Sequence, residues 1–421
     1  MISTCFIAGS LYIIGLSLSS TFIQNILSAF FILILTTLFF LNLRYLKDKD
    51  SDSSKKFFLL QLTSLIFGIA ITSLFLPSTQ EFFWVQDSII THLPESMKFA
   101  NLLTGDNNIQ NVGQASGATT HAVTGAAIAL LGKNTFSTIF AQYLFKILTI
   151  FCIYEISRSL WGNKIAFVSI LLYGLSPTIF FYNLALYKES AVQAFFALLL
   201  LSSIKIFIEK KLIYLLLFCL SIFLLKYERF YIAYLFAPMI YMLIFHSFFK
   251  YNLKNLLVYS IFTLLIFSLG VYIYQDLIIG LAQQVKQLRG HYSSFGDVVN
   301  QFNYQIPYLL ALIKIIFSPY FSLNKFSIFT GLSSLLTWGS FINQIIILSS
   351  ILGLIKSARK NILHLYLWTP FILFLLFSAY ISPWSGRIRD SFYPLIACYA
   401  AYYLTNNKYF KKISNQNYEN T

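Results

Sequence analysis

Charge is what this chain has least of. Of its 421 residues only 11% are Asp, Glu, Lys or Arg, while 57% are hydrophobic. A soluble domain of this size would carry more than twice that share of charge. It has four cysteines, Cys5, Cys152, Cys219 and Cys398. All lie in apolar segments without metal-ligand spacing, so they read as small core hydrophobes rather than a disulfide framework. There is no P-loop, no dinucleotide fingerprint, no zinc pattern and no Gly-x-Ser-x-Gly. An energy-rich substrate must therefore arrive already activated, as a lipid. No basic region precedes the first apolar run, so no cleaved signal peptide is expected. Strand-period alternation of the barrel type is also missing.

What the chain has instead is apolar runs of about twenty residues, enough to cross a hydrocarbon core as helices. The expectation is an all-α, polytopic transmembrane helix bundle of about 12 spans. Two spans, 2–19 and 22–43, lead into the loop RYLKDKDSDSSKK, which is rich in Lys and Asp. The positive-inside rule puts this loop in the cytoplasm. Further spans are expected near 57–77, 140–156, 165–182, 190–207, 212–225, 230–249, 256–274, 341–355, 363–381 and 391–404. Residues 1–56 form an additional hairpin and loop, 57–405 the transmembrane domain, and 406–421 a cytoplasmic tail. An outer loop at 78–138 and an outer segment at 276–340 interrupt the spans. The first carries juxtamembrane helices, one of them at 121–132; the second contains an apolar piece, 304–318, read as re-entrant or interfacial. Both termini are then cytoplasmic, in a multi-pass protein of the plasma (inner) membrane. The net charge of +15 follows from basic span ends on one side, so no nucleic-acid partner is expected.

Five places bring ionisable groups together on the outer side near span ends: Asp87 with His92 and Glu95; Lys188-Glu189; Lys226-Tyr-Glu228-Arg229; Arg289 with His291; and Arg387-Ile-Arg389. Each alone reads as an interfacial anchor. Together, several cations around one or two carboxylates suit a phosphate-bearing ligand. A carboxylate such as Asp87 would then serve as general base on a hydroxyl. Asp87-Ser88 before an apolar stretch also reads as a helix N-cap. The spacing of Asp87, His92 and Glu95 is not diagnostic of a metal site. Lys146 and Glu155 lie inside one span. Lys146 is expected to snorkel or line a cavity, and Glu155 to pair with Arg158.

The order of these motifs resembles the GT-C superfamily of multi-pass glycosyltransferases, in particular the protein O-mannosyltransferase and aminoarabinose transferase group. The first outer loop with its acidic residue is similar to VQDSIITHLPESMKFANLL. A short helix follows as HAVTGAAIALLGKN, with Leu-Gly where Phe-Gly is usual. The Arg–aromatic–Gly turn is matched by YEISRSLWGNKIA, the Pro-ended span by LLYGLSPTIFFYNLALYKES with Lys188-Glu189, and the last outer motif by Gly386 to Arg389 in SGRIRDSFYPLIA. Arg229-Phe-Tyr231 lacks the usual proline, and Ser88 stands where an Asp-Glu pair is common. The resemblance covers roughly 57–405. It implies a GT-C-like bundle and a transferase using a polyprenyl-phosphate-linked sugar in the membrane lipid. Asp87 would be the catalytic base, and Lys188, Glu189, Arg229, Arg387, Arg389, His92 and Glu95 would bind substrate. No cofactor is implied with certainty. Some members use a divalent metal, which keeps His92 and Glu95 as candidates to meet one. Two other classes share lipid-linked sugars and outer cations: a flippase or transporter, and an O-antigen polymerase or ligase. Against the first stands the lack of an internal inverted repeat; against the second, the spread of the arginines over several loops.

Overall fold

The computed structural model describes residues 91–105, 117–133, 135–174, 176, 179, 186–209, 211–236, 239–240, 316, 331–381 and 389–406. Nine helices are described: α1 Leu93–Leu103, α2 Ala118–Leu131, α3 Thr135–Trp161, α4 Asn163–Gly174, α5 Glu189–Glu209, α6 Leu212–Leu235, α7 Gly331–Ala358, α8 Leu363–Ile381 and α9 Tyr393–Asn406. A 3-10 turn, Asp390–Phe392, leads into α9. No strand occurs among the described residues. Among the described residues three stretches are long and apolar enough to cross a membrane: Ser137–Trp161, Glu189–Ile206 and Phe341–Ala358. The expected spans at 2–19, 22–43, 57–77, 230–249 and 256–274 lie wholly or mostly outside the described residues, as does the 304–318 piece apart from Ile316.

The helices divide into two compact units. The larger holds α1 to α7 and α9; the smaller holds α8 and Arg389. In the larger unit α3 and α5 are central. Ile139, Ala141, Ile150 and Ile153 of α3 are fully buried, as are Ala191, Val192, Ala194, Phe196 and Leu200 of α5. α6 and α7 are peripheral. Leu216, Leu220 and Phe223 make an exposed row on α6, and Phe341, Ile345, Leu348, Leu352 and Ile355 one on α7. Steps of three and four residues keep each row on one face. In a membrane these are lipid-facing rows. Cys219 is exposed on α6, whereas Cys152 and Cys398 are buried. The expectation of a core cysteine therefore fails at Cys219, because its helix packs on one side only.

Small residues set the closest approaches. In α7 a Cβ at Gly353 would stand 2.1 Å from the Tyr399 carbonyl oxygen of α9. In α2 a Cβ at Gly125 would meet Phe99 Cβ at 2.5 Å and the Ser96 carbonyl oxygen at 2.6 Å. Ser96 and Ala100, four apart on α1, are themselves buried. Small side chains on facing helices let backbones touch, which is how helices associate where lipid removes the hydrophobic driving force.

A polar seam ties the larger unit together. The Tyr173 hydroxyl donates to Gln193 Oε1 at 2.6 Å, and Gln193 Nε2 donates to the Asp390 carbonyl at 2.9 Å. Asn343 Oδ1 accepts from Ser176 and from Tyr393, each at 2.9 Å. These bonds fix the start of α5 against the 3-10 turn. As expected, Arg158 Nη2 pairs with Glu155 at 3.0 Å.

Replacing Gly353 with Val should force α7 off α9 and cost about 1–3 kcal/mol. Thermal unfolding in detergent should show a clear drop for Gly353→Val. Leu352→Ala, on the lipid-facing row, should stay near wild type.

Candidate functional site

The site begins with a break in a helix. Arg229, inside α6, has φ −148° and ψ 89°. In an unbroken helix the Tyr227 carbonyl would accept from the amide four residues on. Here it accepts the Gly117 N–H at 3.0 Å. Gly117 is the residue before α2 and has φ 104°, a left-handed conformation that glycine adopts without strain. A Cβ there would also press on the His121 ring at 3.2 Å. So the break in α6 receives the start of α2.

The same break turns Glu228 and Arg229 toward different partners. Glu228 accepts from the Thr120 backbone N–H at 2.8 Å and the Thr120 hydroxyl at 2.9 Å. Gly117 has no side-chain oxygen to cap α2, so a carboxylate from another helix satisfies an amide of its first turn. Arg229 pairs through Nη2 with Glu189, in the first turn of α5. Glu189 is fully buried and Arg229 nearly so. A carboxylate at a helix N-terminus also gains from the helix dipole.

A histidine pair completes the cluster. His92 stands just before α1, whose first turn begins with Pro94. Its Nδ1 lies 2.8 Å from Nε2 of His121 in α2, a distance at which one ring donates to the other. The Tyr187 ring stands edge-on to His92 at 6.5 Å. Both histidines are buried. The His121 imidazole is pulled down from 6.5 to about 3, by burial first and then by the charges of His92 and Lys188. His121 is thus neutral at ordinary pH. Its Nδ1 has no hydrogen-bond partner among the described residues.

Of the residues singled out from sequence, His92, Lys188, Glu189 and Arg229 come together here, from the loop before α1, the start of α5 and the break in α6. Glu95 points elsewhere and accepts from Lys98 at 2.6 Å. Arg389 belongs to the smaller unit, where its Nη1 donates to the Ile316 carbonyl at 2.8 Å. Asp87 and Arg387 lie outside the described residues, as do Arg289 and His291. Among the described residues no three His, Cys, Asp or Glu side chains are placed to hold a metal ion. His121 and Thr120 were not anticipated. The available signal was a histidine opening an apolar segment in a chain with five histidines. Among the described residues here, Lys188 and Arg229 stand with Glu189 and Glu228; the further cations expected, Arg387 and Arg289, lie outside the described residues.

Residues 120–274 match the family model described as dolichyl-phosphate-mannose-protein mannosyltransferase. The matched stretch opens at Thr120 and takes in His121, Lys188, Glu189, Glu228 and Arg229. It supports a membrane glycosyltransferase of the GT-C superfamily, in agreement with the order of motifs along the chain. Comparison with curated proteins and with solved structures returns no match.

Two outcomes follow from the geometry. Removing one partner of the buried pair, as in Glu189→Leu or Arg229→Met, should cost about 3–5 kcal/mol, because the other charge is stranded. The double variant should recover most of that loss in thermal unfolding, which a pair of independent sites would not do. The His121 value lies below that of an unfolded histidine, so between about pH 6.5 and pH 3 the unfolded chain binds the extra proton. Stability is full above that window and falls as pH drops through it. Unfolding midpoints of wild type and His121→Gln between pH 7 and pH 4 should converge toward low pH.

Proposed function

We propose that this protein transfers a sugar from a polyprenyl-phosphate donor to an acceptor hydroxyl on the outer face of the membrane. The observation that carries the reading is that the residues within the family match, Lys188-Glu189 and Glu228-Arg229, meet one another and the start of α2. Charges distant in sequence and buried in one place are expensive to keep. Ionisable groups buried with a specific charge partner are candidates for a functional site.

In this reading Asp87 takes the proton of the acceptor hydroxyl. The acceptor oxygen then forms a bond to the anomeric carbon from the face opposite the phosphate. The bond from that carbon to the phosphate oxygen breaks, and its electron pair leaves with polyprenyl phosphate. The configuration of the sugar inverts. Arg229 is held in orientation by Glu189, and Lys188 stands beside it in sequence. These two, with Arg387 and Arg389, meet the charge that builds on the leaving phosphate. A chain of about 12 spans with cytoplasmic termini would put this end of the bundle outside.

General-base catalysis is worth about 10²- to 10⁴-fold. Asp87→Asn should insert and elute as wild type but lose sugar transfer by that order. Arg387→Ala should lose about 10²- to 10³-fold, as when one donor to a developing anion is removed. The assay follows release of polyprenyl phosphate from nanodisc-embedded protein, with a panel of polyprenyl-phosphate sugars and envelope acceptors. Full transfer by Asp87→Asn would reject the base assignment. No release by wild type, with lipid-linked sugar moving between leaflets, would reject the transferase and leave a flippase.

A further inference from the structure

A helix expected to cross lipid has no use for polar side chains on its buried face unless something answers them. α3 carries a row of four. Thr138, Gln142, Lys146 and Thr149 follow at steps of four, four and three, so they share one face. All four are fully buried. Thr149 is answered by its own helix, its hydroxyl donating to the Phe145 carbonyl at 2.8 Å. Gln142 is not. Neither its Oε1 nor its Nε2 has a hydrogen-bond partner among the described residues. An amide left so in a protein interior bears the full cost of its desolvation, so it calls for an unseen partner. One turn along, the Lys146 ammonium stands 5.1 Å from the centre of the Tyr143 ring. An ionisable group at this depth marks a binding or transport path by default.

The position of the row follows from a ring contact. Phe145, next to Lys146, packs edge-on against Phe195 of α5 at 5.8 Å. Phe195 is six residues from Glu189, or about 9 Å along α5 at helical rise. The row therefore borders α5, the helix that carries Glu189, about two turns from that residue.

We propose that Gln142 and Lys146 form an intrabundle binding site for the phosphodiester and first sugar hydroxyl of a lipid-linked sugar phosphate. The chemistry matches group by group. A sugar esterified to a polyprenyl phosphate leaves one negative charge on the phosphodiester, and Lys146 supplies one positive charge. The Gln142 amide N–H donates to a phosphate oxygen, and its carbonyl accepts from a ring hydroxyl. A free phosphate would bring a second charge and no ring hydroxyl, and so would meet only part of the site. This rests on the donor class proposed above and adds a subsite to it.

The test uses the full-length protein in nanodiscs and three probes: a polyprenyl-phosphate sugar, sugar-free polyprenyl phosphate, and polyprenol. Lys146→Met and Gln142→Leu keep side-chain length and remove polarity, so both should fold at least as well as wild type. Lys146→Met should weaken both phosphate-bearing lipids tenfold or more and leave polyprenol unchanged. Gln142→Leu should weaken the sugar-bearing lipid several-fold more than the sugar-free one. If inorganic phosphate at millimolar concentration displaces the lipid fully, the site is a general anion site, and the lipid-sugar assignment is overturned. Both folded variants binding the donor within twofold of wild type would overturn the site as well. Should Lys146→Met fail to insert, Gln142→Leu decides alone by the same comparison. A wild type that binds donor with this variant dependence but transfers no sugar would reject the transferase reading and keep the site. A wild type that transfers sugar while both variants bind and transfer as it does would reject the site and keep the transferase.

Discussion

A buried charge in a lipid-embedded bundle has to meet an opposite charge, and Glu189 with Arg229 is where this chain meets that condition. The pair does more than cancel itself. Arg229 reaches Glu189 from a residue whose backbone leaves the helical region. That departure releases the Tyr227 carbonyl to Gly117 and turns Glu228 to Thr120. One interruption in α6 thus fixes the starts of α2 and α5. Without the ion pair the interruption would have an uncompensated charge on one side and an uncapped helix start on the other. The buried positions of His92 and His121, and the half-buried one of Lys188, depend on those two helix starts staying where they are.

Close packing supplies the second constraint. The α1–α2 pair is held at backbone distance by Gly125 lying over Ser96 and Ala100. At that distance His92 and His121, 29 residues apart in sequence, share a hydrogen bond. Larger side chains on either helix would separate the rings before they disturbed anything else. The histidine pair is therefore a reporter of helix packing as well as a part of the charged cluster, and burial keeps His121 neutral there.

Much of the helix plan was legible in the sequence, because hydropathy reads lipid-facing side chains well. α8 runs 363–381, as its apolar run does, and α5 runs 189–209 where 190–207 was expected. α6 continues past Leu225, where the first expected span ends, and its break at Arg229 falls between the expected spans 212–225 and 230–249. The reason is physical. Lys226, Glu228 and Arg229 look like a loop when each is priced against water, but Glu228 and Arg229 are paired off in the folded chain. α7 likewise begins at Gly331 rather than 341, since the Ser- and Gly-rich first turns lower hydropathy without ending a helix. The site was half legible for the same reason. The charged places could be found one at a time, and Lys188-Glu189 and Arg229 did converge. Which charge answers which is a matter of three-dimensional pairing, and the Glu189–Arg229 and Glu228–Thr120 partners appear only there.

That pairing bears on where a donor phosphate is met. Among the described residues the cluster has two cations and two carboxylates, which together give an arriving anion no net attraction; it gains only if it displaces a carboxylate or if further cations join. Arg229 is already shared with Glu189, and a phosphate that took both would strand a carboxylate fully buried in the bundle. Charge attraction therefore has to come from residues beyond the pair. Under the binding site proposed above, Lys146 on α3 is one such source. The ion pair acts as scaffold by holding Arg229 in a fixed orientation; in the proposed reaction that would put the cation in place before charge builds on the phosphate.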